Sequence, residues 1–232
     1  MVFAAKPGTL DVVKVVMKGT VTSFRYPHFV QGVQPTYEIP PPSTIYGLIC
    51  AATGQLEPPD ELRFGLHFTY EAKFRDLEHI HLGTPYLQAN PFLRELLYNP
   101  TLTLYIAPVR YLEAFQAPYY PVALGRSQDL MSYARLPKLV ALQQATHAYF
   151  EHTLLPFSYA PRFQRTVAVT MARFIDSSRR PQWGSYSILK ERSGYPDEND
   201  PSRATYEPIW VDPEEMLGDG SARGVVLHRF VE

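Results

Sequence analysis

Twenty-two prolines fall in 232 residues, well above the usual share of about 5%, and proline is kept out of helix interiors and central strands. The chain must therefore fold as many short elements joined by stiff loops. The firmest break is IPPPSTIYGLICAATG at positions 39–54. Pro40, Pro41 and Pro42 each disfavour helix in the residue before them, so a helix cannot begin earlier. Ser43 or Thr44 is then expected to cap it, the hydroxyl accepting a backbone N–H near Tyr46. Ile45, Leu48, Ile49 and Ala52 give it an apolar face at i, i+3, i+4, i+7, and Gly54 is placed to stop it in the left-handed conformation. Gly47 costs roughly 1 kcal/mol relative to alanine in a helix interior. That cost predicts close approach by a strand or a ligand.

A 45% hydrophobic composition over this length suits one large domain or two small ones. No apolar run approaches the roughly 20 residues of a membrane-spanning helix. The N-terminus lacks a basic start followed by a sustained apolar region, so no export signal is read and a cytoplasmic protein is expected. Cys50, the single cysteine, rules out an intramolecular disulfide and a cysteine-cluster zinc site. It is expected to be a buried, inert thiol. Net charge is −1, which by itself gives no reason to propose a nucleic-acid partner. Between Arg162 and Arg192 the chain is basic and beyond Ser193 it is acidic, a pattern that two solvated faces also satisfy.

Along the chain, DVVKVVMKGTVTSFRYP (11–27) reads as a strand, with Val13, Val15 and Met17 on one face and Val12, Lys14, Val16 and Lys18 on the other. Its apolar content suggests burial on much of both faces. ELRFGLHFTYEAKFRDLEHIHL (61–82) reads as one long strand with a buried face and a wet one. FLRELLYNPTLTLYIAPV returns from it as a hairpin far longer than usual. Such a hairpin buries little alone and is expected to rest on a partner or a ligand. RYLEAF is a short helix candidate, a strand is expected to end in the Gly-Arg-Ser turn at 125–127, and Leu139, Leu142, Ala145 and Tyr149 suggest a helix over 138–155. GVVLHRFV is read as a closing strand. The order to about residue 130 is βαββαβ, the order of a ferredoxin-like or RNA-recognition-type domain. The expected fold is α+β: a domain over 1–135 with an inserted hairpin at about 74–100, then a helix and a small β-rich region over 136–232.

IPPPSTIYGLICAA, after a strand ending in SFRYP, resembles the start of the CRISPR-associated RAMP proteins of the Cas-five family. Members show a strand, a loop and a Pro-Pro-x-Ser/Thr-x-x-Gly-Leu helix start. PYYPVALGRSQDL (118–130) is similar to the family's Pro-x-x-Leu-Gly-Arg-Ser segment, and GVVLHRFVE to its closing strand. The match covers the first 130 residues well and the remainder loosely, and looks closest to the type I-B group. The resemblance implies an RNA-recognition-type domain whose long hairpin is a "thumb". It also implies a subunit of the Cascade effector complex that holds the 5′ handle of the crRNA, caps the backbone filament, touches the large subunit and approaches target DNA near the PAM. No cofactor, metal or membrane is expected.

Under that resemblance Arg126 becomes a bidentate phosphate contact in a turn that Gly125 opens, beside Ser127 and Gln128. Ser23, Phe24, Arg25 and Tyr26 offer stacking and charge at the end of the first strand. Ser43, Thr44, Tyr46 and Gly47 place the positive end of a helix near a phosphate. His79 and His81 share a strand face, either at the thumb base near RNA or as general acid and base of a ribonuclease. The alternative is a metal-independent endoribonuclease, as in the branch of the family that cuts its own precursor RNA with a tyrosine near the first helix and a Lys-His pair. Tyr46 is present, whereas no Lys-His dipeptide occurs in the sequence. A small-molecule enzyme on the same scaffold has no glycine-rich nucleotide loop or nucleophile motif to support it.

Overall fold

The β-branched run TLDVVKVVMKG forms the axis of the molecule as strand β1 (Thr9–Gly19), and adjacent Val12 and Val13 are both fully buried. The structure is a computed structural model that describes residues 8–29, 32–81, 89–163, 165–196 and 207–231. After β1 come β2 (Val21–Thr22), β3 (Val33–Gln34), helix α1 (Pro42–Thr53), β4 (Arg63–Thr69), β5 (Ala72–His81), β6 (Ala89–Tyr98) and β7 (Thr101–Ala107). Helix α2 (Leu112–Gln116), β8 (Met131–Ala145), β9 (Ala148–Phe150), β10 (Thr153–Pro156), β11 (Val167–Ile175) and β12 (Pro181–Leu189) follow. The chain closes with β13 (Ser193–Tyr195), β14 (Ile209–Met216), β15 (Ala222–Val225) and β16 (His228–Arg229). The fold is α+β and dominated by strands.

At its centre the main sheet runs β8-β1-β7-β4, all antiparallel, with α1 inserted between β1 and β4 and α2 between β7 and β8. Val13, Val15 and Met17 share one core with Ile45, Leu48 and Ile49 of α1 and Phe115 of α2. The other side of the sheet is covered too. Beyond β8 the sheet continues through β14, β15 and β9 to β13, and it curls until β15 passes over β4. A Cβ at Gly65 would lie 2.7 Å from Val225 Cγ1 and 2.9 Å from the Val226 carbonyl oxygen. Only glycine lets the backbones approach that closely. The wet face expected of β4 is therefore reduced to its ends. Beneath the crossing, the Lys14 ammonium is paired with Asp212 at 2.6 Å and Glu215 at 2.8 Å, and Tyr105 donates to Asp212 at 2.7 Å. The buried charge is compensated on the spot, as burial demands.

The long strand expected over 61–82 breaks at Tyr70–Glu71 into β4 and β5. Its hairpin partner divides likewise, and β5 pairs β6 in register from Ala72↔Tyr98 to His81↔Ala89. The base of the hairpin is held by the chain itself, since β6 also pairs β2 antiparallel and β3 parallel.

The helix expected over 138–155 is absent, and that stretch is β8, β9 and β10. Leu139 is 47% exposed whereas Val140 and Leu142 are buried, a period of two. Backbone pairing decided the matter, since β8 bonds to β1 along Thr9↔Gln143 to Gly19↔Met131 and to β14 on its other edge. Nor does a strand end in the Gly-Arg-Ser turn: one isolated bridge, Ala123↔Leu130, flanks it and the strand begins afterwards at Met131. The boundary expected at 135–136 falls inside β8. A smaller sheet, β10-β12-β11, packs on α1, with Tyr46 edge-on to Phe174 at 4.9 Å. The expected closing strand is two short ones, β15 and β16.

Candidate nucleic-acid interface

Helix α1 starts where the prolines require, but not with the expected cap. The N-cap is Pro41, and no side chain caps the helix. The N–H groups of Thr44 and Ile45 donate to the Pro41 carbonyl at 2.9 and 3.2 Å, and Ser43 and Thr44 lie inside the first turn. Pro42 at the first helical position has no N–H to satisfy and a φ already suited to the helix, so a hydroxyl cap is less needed. Gly54 ends the helix as expected, at φ 77 with its N–H on the Cys50 carbonyl. Gly47 is exposed, and a Cβ there would meet nothing within 4 Å. Packing within the chain therefore does not require it. Tyr46 is 7% exposed, lies against Phe230 as well as Phe174, and donates its hydroxyl to the Glu57 carbonyl at 2.7 Å. Burial pushes its phenol above the ordinary tyrosine value.

The strand expected over 11–27 breaks at Thr20 into β1 and β2, and the segment after β2, the Gly-Arg-Ser turn and the hairpin meet at one place. Ser23 donates its N–H to Asp129 Oδ2 at 3.2 Å and its hydroxyl to the Glu95 carbonyl on β6 at 2.9 Å. Gly125 has φ 98, and a Cβ there would stand 2.5 Å from the Ser23 carbonyl oxygen. This is the close approach that the turn's glycine permits. Arg126 grips Asp129 with Nε at 2.9 Å and Nη2 at 2.7 Å, and its Nη1 pairs with Glu78 on β5. Glu78 also takes Arg94 Nε at 2.6 Å. The Arg126 side chain is 18% exposed, so it braces the hairpin against the turn instead of standing free in solvent.

Around this brace the other candidates take different positions. Ser23 and Phe24 are buried, Phe24 edge-on to Phe68 at 5.4 Å. Tyr26 is half-buried and stacks on Tyr37 at 3.6 Å. Arg25, Ser127 and Gln128 are exposed, and no carboxylate among the described residues pairs with Arg25. The backbones of His79 and His81 lie in β5 opposite Pro91 and Ala89; their side chains fall outside the described residues. Next to Tyr26, a groove of about 410 Å³ opens against β11, with Phe29, Lys73, Glu38 and Lys190 in its walls. Sequence reasoning missed Glu78, Glu95 and Asp129, the acceptors that organise the node. Only Asp129, three residues after Arg126, could have been noticed from spacing.

A family model described as CRISPR-associated protein (Cas_Cas5) matches residues 12–194. The chain belongs to this family. Among solved structures, a chain described as "CRISPR RNA-guided surveillance complex" superposes on this Cas5 chain with TM-score 0.53 at 16% identity, over 80% of this chain and 91% of that one. A CRISPR protein from Archaeoglobus fulgidus gives TM-score 0.48 at 10% identity, covering 78% and 87%. A chain of a type III-B Cmr-beta complex bound to cognate target RNA and AMPPnP gives 0.48 at 9%, covering 77% and 84%. The first superposition shows a shared fold. No curated protein matches the chain. Among the described residues no histidine, cysteine and carboxylate group is arranged to hold a metal, and no helix is long and apolar enough to cross a membrane.

Proposed function

We propose that this Cas5-family chain is the RNA-binding, non-cleaving subunit of a CRISPR RNA-guided surveillance complex, holding the 5′ handle of the crRNA and capping the backbone filament against the large subunit. The observation that carries the reading is the node itself, where the segment after β2, the Gly-Arg-Ser turn and the hairpin base are locked together with Arg25, Ser127 and Gln128 left facing solvent. Family membership and the shared fold with a surveillance-complex chain support it. In this reading the β8-β1-β7-β4 order with its two inserted helices is the ferredoxin-like scaffold, and β5 and β6 form the thumb that wedges between nucleotides.

The geometry supports a division of labour. Arg126 fixes the thumb's angle, and Arg25 supplies the phosphate contact. Tyr26, backed by Tyr37, presents a rigid ring on which a base can stack, worth about 1 to 3 kcal/mol. Ser43, Thr44 and Gly47 lie on the open side of α1, where small side chains let a strand of RNA run close to the helix start. The ribonuclease alternative would use Tyr46, whose hydroxyl is buried and already donated to Glu57.

Arg25→Ala is expected to weaken binding of handle RNA and to reduce the slope of log affinity against log salt by about 0.7 for one lost phosphate contact on a single strand. Unchanged affinity and slope would remove Arg25 from the interface.

A further inference from the structure

We infer that the groove between Arg63, Arg229, Trp210 and Tyr159 is a second binding site, one that takes a phosphodiester and unpaired base of a single-stranded nucleic acid. β16 pairs β4 so that His228 lies opposite Phe64 and Arg229 opposite Arg63. Phe64 and His228 are buried, with ring centroids 5.3 Å apart. Strand alternation therefore sends Arg63 and Arg229 outward together, side by side. Both are exposed, and neither has a carboxylate partner among the described residues. Glu61, two positions from Arg63, is already taken by Arg110 at 2.5 Å.

Like charges directly opposite one another destabilise a sheet unless an anion lies between them. Elsewhere in the chain arginines are braced by carboxylates, as Arg94, Arg126, Arg192 and Arg223 show. The opposed pair lines a groove of about 260 Å³ whose other walls include Trp210 of β14 and Tyr159. Arg162 stands over the Tyr159 ring at 4.4 Å. Two adjacent guanidinium forks suit one phosphate, and the neighbouring rings suit an unpaired base. An acidic peptide would satisfy the charges but leave the ring surfaces without a planar partner.

The site is separate from the hairpin node. Arg63 and the hairpin lie at opposite ends of seven-residue β4, about 20 Å apart at roughly 3.3 Å per residue. The shared chemistry of an RNA and a DNA strand would fit, so both are offered in the test.

Trp210 and Trp183 are the two tryptophans of the chain, so in Trp183→Phe protein Trp210 is the only tryptophan reporter. Short oligo-rU and oligo-dT are titrated separately into this protein at low salt, and which of them binds identifies the strand. Saturable quenching of Trp210 is expected with at least one, together with about tenfold weaker binding after Arg63→Ala with Arg229→Ala. The melting temperature of the double variant should be unchanged or higher, because a repulsion has been removed. Absent quenching, quenching that survives the double variant, or displacement of both oligonucleotides by oligoglutamate would overturn the proposal. Handle affinity reports the hairpin node and Trp210 reports this groove, so the two readings can fail independently.

Discussion

Asp129 has a side chain only 2% exposed, and Arg126 supplies its opposing charge. Removing one partner of a fully buried pair costs about 3–5 kcal/mol. Here Arg126 is partly solvated, and the N–H groups of Ser23 and Arg126 also bond the carboxylate, so Arg126→Ala is expected to cost about 2 kcal/mol. Urea denaturation would measure it, and a stability equal to wild type would refute the bracing role. Gly47→Ala should do the reverse. With open space around it, the added methyl removes the helix penalty and should stabilise the fold by roughly 1 kcal/mol. If α1 also lies against RNA, the same variant binds handle RNA more weakly while melting higher. Part of this was legible in the sequence: the glycines at 54 and 125 announce their turns, and Arg126 and Asp129 stand three residues apart. Glu78 lies 48 positions from Arg126, and no local spacing reveals a partner delivered by a hairpin.

Elements were legible where their period is local. The strand read over 11–27, which the structure breaks at Thr20, the helix after Pro42 and the long hairpin were all readable from alternation or from i, i+3, i+4 spacing. β8 was not, because its identity is set by backbone bonds to β1 more than a hundred residues earlier and to β14 more than sixty later. The same non-local logic governs Gly65. It resembles any strand glycine until β15 is laid across it. Gly65→Val is expected to destabilise by about 1–3 kcal/mol, because the clash includes the Val226 backbone, which cannot rotate away. Thermal melting of the purified variant checks this, and a wild-type melting temperature would mean that the β4–β15 crossing is looser than described.

At the scale of the whole molecule, the curled sheet buries histidines that an open sheet would leave wet. Burial holds His228 down to about 4 and His67 down to about 3, with the nearby Arg223 charge adding to the effect at His67. In the unfolded chain both titrate near 6.5. Below that pH the unfolded state binds protons that the folded state refuses, so stability is full above about 6.5 and falls as pH drops towards 4. The melting temperature at pH 5 should be lower than at pH 7, and His228→Gln, which can still donate to the Leu154 carbonyl that His228 bonds at 2.9 Å, should flatten that dependence. At the same scale, we propose that this chain holds an RNA end without cutting it. The direct measurement is titration of the pure protein, in EDTA, with RNA carrying or lacking the 5′ handle, followed by a denaturing gel. The account predicts tighter binding of the handle-bearing RNA with both RNAs intact. Equal affinity for the two, or a discrete cleavage product, would contradict it.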